Sequence, residues 1–367
     1  MIFLDNASTT KLSNKALNEF VRISRDFPYN PSAQYSLGID AHKVLDSAKE
    51  EMLNLLGGEG NIIFTGSATE SNNQALNSFA SKNCKMLISA GEHPSVYNVA
   101  KNLQQKGYLV EFIKLDKNTG QVDENDFVSK MTPDVNFVSI MHVSNETGSV
   151  NNIRKLVELA KEVNPKVVFH SDGVQAFGKI RVDLRDLGVD LYTISAHKIN
   201  GPKGVGALFV RKGLVVKPFV IGGGQEIGLR SGTENVAGIG SFVVAAKEKI
   251  DNIDSDFKKV EGLQKTLKKN AMLMFSEFKV NGGGSPYITS CTFGKMRGET
   301  LLHALEAKDI YIGNGSACSS KKADNRVLSE MGLSQIEREQ SVRISLSSEN
   351  TIEDIEILLK EIKNILG

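Results

Sequence analysis

From about residue 60 the chain alternates short apolar, β-rich runs with longer stretches in which apolar positions recur every three or four residues. The runs are "NIIF", "KMLIS", "VEFIKL", "VNFVSIMHV", "KVVFHS", "LYTIS" and "GALFVR", and the stretches between them include "SVYNVAKNLQQKG" and "IRKLVELAKEV". Strands of this kind, separated by helices, predict an α/β fold with a mostly parallel sheet covered on both faces. Ligands of such sheets gather beyond the carboxyl ends of the strands, so the loops there are where chemistry is expected. A glycine-rich crossing at Gly222, Gly223 and Gly224 leads into one long amphipathic stretch from about 241 to 278. "YITSCTF", a helix near 299–307, "SVRISLS" and a closing helix "TIEDIEILLKEIKNIL" follow. The pattern divides the chain into a large domain, 15–250, and a smaller α/β domain, 251–367, to which residues 1–14 also belong.

Composition narrows the function classes. With 44 basic and 43 acidic residues the formal net charge is +1, which gives no overall field to draw nucleic acid or an anionic membrane. No stretch approaches the roughly 20 apolar residues of a membrane-spanning helix, and "MIFLDNASTT" lacks the basic and apolar regions of a signal peptide, so a cytoplasmic protein is expected. The three cysteines, Cys84, Cys291 and Cys318, are widely spaced without CxxC pairs, which argues against a disulfide framework and a structural zinc site. Cys291 lies in a β-like run and reads as core, and Cys84 reads as incidental. Cys318 differs: "GNGSACSS" surrounds it with glycines and serines, the signature of an exposed, mobile loop carrying a reactive thiol.

Three segments carry candidate chemistry. "NIIFTGSATESNN" runs a strand into a helix through a turn of small residues, with Ser67 and Glu70 at capping-box spacing; such a turn binds anions through backbone N–H groups, and Ser67 and Thr69 add hydroxyls. "VVFHSDGVQAFG" places Asp172 just past an apolar strand, and "LYTISAHKINGPKGVG" places Lys198 just past another. Read singly, these are a capped helix, a capping carboxylate and a solvated lysine. Together at the strand ends of one sheet they make an anion site, an acid and an amine, which is what pyridoxal phosphate requires of a protein.

The ordered motifs "LDNASTT", "NPSAQYSLG", "FTGSATESNN", "EHPSV", "MHVSNETG", "HSDGVQAFGK", "SAHKINGPKGVGALFVR", "GGGQEIGLRSGTEN", "GSACSS" and "VRISLS" strongly resemble the cysteine desulfurases, class V aminotransferase-like enzymes of the type I pyridoxal-phosphate transferase fold. The resemblance covers nearly the whole chain. It implies that Lys198 is the Schiff-base lysine, Asp172 the partner of the pyridinium nitrogen and Gln175 a donor to the phenolic oxygen. Ala68, Thr69, Ser195 and His197 would hold the phosphate, with Thr233 reaching the site of a neighbouring subunit, so a homodimer is implied. His93 would stack on the cofactor ring and also move protons, and Asn145 and Arg343 would hold the substrate carboxylate. Cys318 would be the nucleophile, its thiolate favoured by Lys321 and Lys322. It would take sulfur from L-cysteine, leave alanine, and carry a persulfide to an acceptor protein, an iron–sulfur scaffold or a tRNA-thiolating enzyme. The length of the cysteine segment resembles the branch with an extended, mobile loop.

Four departures from the family pattern stand out. "SNE" has Ser144 where a second asparagine is common, which removes an amide near the substrate site. "TGSATE" reorders the phosphate turn, "HSDGVQ" has Gly173 and Val174 at alanine-like positions, and "SLSSEN" lacks a glycine after Arg343. Another class V enzyme, an aminotransferase or selenocysteine lyase, and a non-catalytic partner in sulfur transfer remain the alternatives. A cysteine hydrolase would leave Lys198 and Asp172 unexplained and has no histidine near Cys318 in sequence.

Overall fold

The computed structural model describes residues 1–294, 296–314 and 325–367, so Cys318, Lys321 and Lys322 lie outside the described residues. Its strands, numbered along the chain, are β1 (Ile2–Phe3), β2 (Gly60–Thr65), β3 (Lys85–Ser89), β4 (Val110–Ile113), β5 (Val135–Ser139), β6 (Val168–Asp172), β7 (Leu191–Ser195), β8 (Gly206–Arg211), β9 (Lys279–Val280), β10 (Ile288–Thr292), β11 (Ile310–Tyr311) and β12 (Ser341–Ser345). Seven of them form one sheet in the order β2-β8-β7-β6-β5-β3-β4. Strands β3 to β7 pair in parallel, whereas β8 runs antiparallel to both β7 and β2. The reversal follows from the connection: 196–205 is too short to hold a crossover helix, so the chain returns alongside β7 in the opposite sense. That same tight return carries Lys198.

Alternate residues of the strands feed different cores. Leu87, Val138, Phe169, Tyr192 and Phe209 join one apolar cluster, while Met86, Phe137, Val168, Leu191 and Leu208 join another, as the period of two requires of a sheet covered on both faces. Among the polar side chains inside these strands, His170 is paired across the sheet, with Ser139 Oγ through Nδ1 (2.8 Å) and Thr193 Oγ1 through Nε2 (3.1 Å).

A third cluster gathers Leu4 and Ala7 with residues from Val260 to Ile362. Here β10 lies between β9 and β12 in an antiparallel sheet, and β1 pairs in parallel with β11. Bridges Asp5–Ser345 and Gly313–Arg343 tie the two small sheets together.

The amphipathic stretch over 241–278 is two helices, Val236–Asp251 and Ile253–Met274. Asn252 separates them: its side chain bonds back to the Glu248 carbonyl (2.8 Å), and its backbone (φ −106, ψ 8) leaves the helical basin. Among the described residues, no helix is long and apolar enough to cross a membrane.

Candidate active site

The carboxyl ends of β6 and β7, the turns after β2 and β3, and the N-terminal segment converge on a cavity of about 300 Å³. Ala68, Thr69, His93, Asn145, Asp172, Gln175, Ser195, His197, Lys198 and Arg343 all line it. Thr233 is exposed and does not, and Cys318 is outside the described residues.

One end of the cavity suits an anion. Ser67 caps the helix Ala68–Phe79, its hydroxyl accepting from Glu70 N at 3.2 Å, which leaves the remaining first-turn N–H groups without intrahelical acceptors. The capping box is only half formed, because the Glu70 carboxylate accepts from Gly66 N (2.8 Å) and from Arg230 Nε (2.8 Å) instead of closing on Ser67. Gly206 at the start of β8 shapes this turn from below. A Cβ there would stand 2.5 Å from Ser67 C and 2.6 Å from Ala68 N, so only glycine lets the strand approach so closely.

Asp172 supplies a buried carboxylate held by neutral donors, Asn72 Nδ2 at 2.7 Å and Val174 N at 3.0 Å. Lys198, in a single 3₁₀ turn at 196–198, donates from Nζ to the carbonyls of Ala7 (2.7 Å) and Ser8 (2.6 Å). The Ala7 carbonyl also accepts from Gln175 Nε2 (2.9 Å), which fixes the amide because a carbonyl can only accept, and Gln175 Oε1 accepts from Lys179 Nζ (2.5 Å). Burial, then the nearby Lys198, Lys249 and Arg343, brings the Lys179 amine down to about 7. His197 shares a hydrogen bond with Thr9 Oγ1 (3.2 Å), and burial pushes its imidazole down to about 4.

On the other side of the cavity Arg343 Nη1 donates to the Asn145 carbonyl (2.8 Å) and Nη2 to Asp5 Oδ1 (2.7 Å). The Asn145 side-chain amide has no partner among the described residues. Ser144 does not line the cavity; its hydroxyl accepts from Glu146 N (3.3 Å) and Thr147 N (3.2 Å), so it caps the turn that presents Asn145. Ser345, two residues after Arg343, seats the N-terminal segment: its Oγ accepts from Ala7 N (2.9 Å) and its N donates to Leu4 O (2.7 Å). His93 caps the helix Pro94–Gln105 with its own ring, Nδ1 accepting from Ser95 N at 3.1 Å. Glu92 beside it is fully buried, accepts from Met141 N (2.5 Å), and is held well above the ordinary carboxyl range chiefly by burial. Arg326 stacks on Tyr97, 3.8 Å from the ring centroid, and donates to the Glu92 carbonyl.

The motifs pointed to most of this wall but not to its supports. Asn72, Ser95, Lys179 and the Ala7 and Ser8 carbonyls were missed. Asn72 alone carried a signal: it lies one helical turn after Ala68, on the same helix face. The remainder depend on contacts between segments far apart in sequence.

Relatives share this arrangement of chain. A protein named cysteine desulfurase IscS 1 from Archaeoglobus fulgidus is 36% identical over 375 aligned positions, covering 100% of this chain and 97% of its own length. A protein named cysteine desulfurase from Trichormus azollae is 34% identical, covering 100% of this chain and 93% of its own. Among solved structures, a NifS-like protein superposes with a TM-score of 0.93 at 32% identity, covering 100% of this chain and 99% of that one. A NifS-like protein from Rickettsia africae superposes with a TM-score of 0.90 at 31% identity over 100% of this chain and 99% of its own. The aminotransferase class-V family model matches residues 2–358, and the chain belongs to that family.

Proposed function

We propose that the chain is a pyridoxal-phosphate-dependent cysteine desulfurase that converts L-cysteine to L-alanine and takes the sulfur onto Cys318 as a persulfide. The observation that carries the reading is the single cavity in which an amine, a buried carboxylate, a helix N-terminus and an arginine meet. The names of the relatives, cysteine desulfurases matched over 97 and 93% of their own length, agree with it.

The donor set fits the cofactor. The first turn of the helix Ala68–Phe79, Thr69, Ser195 and His197 would hold its phosphate, Asp172 its ring nitrogen and Gln175 its phenolic oxygen, with Lys198 at its carbonyl and His93 against its ring. When bound, pyridoxal phosphate condenses with amines and accepts electrons from the substrate's α-carbon. Around it, Arg343 and Asn145 orient the substrate carboxylate, the planar guanidinium matching both oxygens. Lys198 Nζ moves the α-proton from a position fixed by two backbone carbonyls. The Cys318 thiolate attacks the substrate sulfur: the C–S bond breaks, an S–S bond forms, and a proton completes the carbon as L-alanine. One L-cysteine and one thiol thus become one L-alanine and one persulfide, with no external oxidant or reductant.

The reading includes a cytoplasmic homodimer whose Thr233 serves the neighbouring site, and a sulfur-acceptor protein, an iron–sulfur scaffold or a tRNA-thiolating enzyme. In favour of the dimer, Leu37, Ile39, Ile221 and Ile227 are 46, 47, 89 and 66% exposed. A groove lined by Ile39, Ile227 and Glu234 brings their segments together next to Thr233. The separate apolar cluster of Leu4 and Ala7 with residues between Val260 and Ile362 supports a small domain of 251–367 with 1–14 beside the large one of 15–250, while Val327, Leu328 and Met331 pack into the cluster of the large one.

The deciding assay is alanine released from L-cysteine by cofactor-loaded protein with a reductant present. Wild type is expected to form alanine and Cys318→Ala to lose it by orders of magnitude while keeping the cofactor. Equal alanine from both proteins would remove Cys318 from the reaction, and none from wild type would remove L-cysteine as the substrate.

A further inference from the structure

The His93 ring ends a hydrogen-bond relay whose direction is set by the groups in it. Asn72 turns Nδ2 toward Asp172 Oδ2 (2.7 Å) and Ser95 Oγ (2.8 Å). That orientation is dictated by the carboxylate, which only accepts, and it leaves Asn72 Oδ1 buried without a partner. The Ser95 oxygen accepts from Asn72 and lies 2.8 Å from His93 Nδ1. The backbone N–H of Ser95 also points at Nδ1, at 3.1 Å, and a backbone amide cannot reverse its role. A proton on Nδ1 would collide with that amide hydrogen, so Nδ1 accepts, and the Ser95 hydroxyl donates to it. The ring proton thus belongs on Nε2, which has no partner among the described residues and sits on a ring that lines the cavity.

We infer that Ser95 and Asn72 are positioning residues that hold His93 as the neutral Nε2–H tautomer, so that the ring offers the site a hydrogen-bond donor and withholds its basic nitrogen. The inference rests on the proposed placement of His93 against the cofactor ring. The charged groups around the imidazole are Asp172 at the end of β6, Lys198 in the turn after β7, and Arg326 from the helix at 326–330. Burial holds His93 below its ordinary value, Lys198 and Arg326 act in the same direction, and Asp172 opposes them. Through the relay Asp172 also orients the Asn72 amide, so the carboxylate is tied to the tautomer by hydrogen bonds as well as by charge.

The test is ¹⁵N resonance spectroscopy of ring-labelled histidines in the cofactor-loaded protein, with His93→Gln identifying its signals among the six histidines. Wild type is expected to show a protonated Nε2 and a bare Nδ1 from about pH 6 to about pH 8, the window in which an ordinary imidazole with a pKa near 6.5 changes state. Ser95→Ala keeps the backbone donor but loses the hydroxyl, and should move the His93 midpoint up by roughly one pH unit, a tenfold change in its proton equilibrium. Ser95→Thr should restore the wild-type signals. An Nδ1–H signal in wild type overturns the inference, as does a midpoint that neither Ser95→Ala nor Asn72→Leu moves. Alanine release measured on the same samples separates the two readings. A wild type with the Nε2–H ring and no alanine loses the desulfurase reading alone, and one with alanine and an Nδ1–H ring loses this inference alone.

Discussion

Gly173 and Tyr192 compete for one volume. A Cβ on Gly173 would stand 2.0 Å from Tyr192 Cε1, and that tyrosine is fully buried with its hydroxyl on His142 Nδ1 at 2.8 Å. The glycine at an otherwise alanine-like position is thus matched to a large ring on the adjacent strand. Gly173→Ala is expected to lower the urea unfolding free energy by about 1–3 kcal/mol through overpacking. The cost should shrink in a Tyr192→Leu background, and an equal cost in both backgrounds would refute the steric pairing. His142 gives a pH prediction. Burial pushes its imidazole down to about 4, below the roughly 6.5 of an unfolded chain, so the unfolded state binds the proton more readily. The stability due to neutral His142 is therefore present above pH 6.5 and lost as pH falls toward 4. Relative to His142→Gln, wild type should lose up to about 1.4 kcal/mol of its advantage per pH unit in that window, read from urea titrations at each pH. At this scale the sequence was a partial guide. It marked Gly173 and Ser144 as departures, but Tyr192, which accounts for Gly173, becomes its neighbour only in the folded chain.

Strand β8 and the turn at 66–68 show how elements make the anion end of the cavity. The strand backs the turn at a distance that admits no side chain at Gly206. Gly206→Ala should push Ser67 and Ala68 out of place and weaken pyridoxal phosphate binding by about tenfold or more, equivalent to 1.4 kcal/mol, in equilibrium dialysis. Gly262→Ala is the control: it lies in the helix Ile253–Met274 with open space around it, so it should leave cofactor affinity unchanged and favour the helix by up to about 1 kcal/mol. Equal affinity for both variants would disconnect β8 from the site. The alternation of apolar runs announced the sheet and most of its helices. It did not announce the reversal of β8, because a central strand buried on both faces has the same continuous apolar run whichever way it points. Nor did it announce the break at Asn252, since the apolar periodicity continues through both helices.

Across the whole molecule, the N-terminal segment joins what the rest keeps apart. It pairs β1 with β11, places Asp5 on Arg343, and brings the Ala7 and Ser8 carbonyls to Lys198. Periodicity has nothing to say about contacts made across 190 to 338 positions, and only the ordered motifs linked "LDNASTT" to the site. The same reasoning applies to Thr233, exposed and off the cavity of its own chain yet beside a groove with exposed apolar side chains. If Thr233 completes the neighbouring site, each active site belongs to two chains, and hybrids distinguish that arrangement from action within one chain. Pairing a Lys198→Ala subunit with a Thr233→Ala subunit, purified through two tags, leaves one site with both residues intact and should give about half the wild-type turnover per dimer. Pairing wild type with a subunit carrying both substitutions leaves no complete site and should fall to the level set by loss of Thr233. If Thr233 served its own chain, the two hybrids would exchange activities. That reversal would overturn the shared-site arrangement without touching the assignment of Lys198, because every hybrid in the comparison contains one intact and one missing lysine.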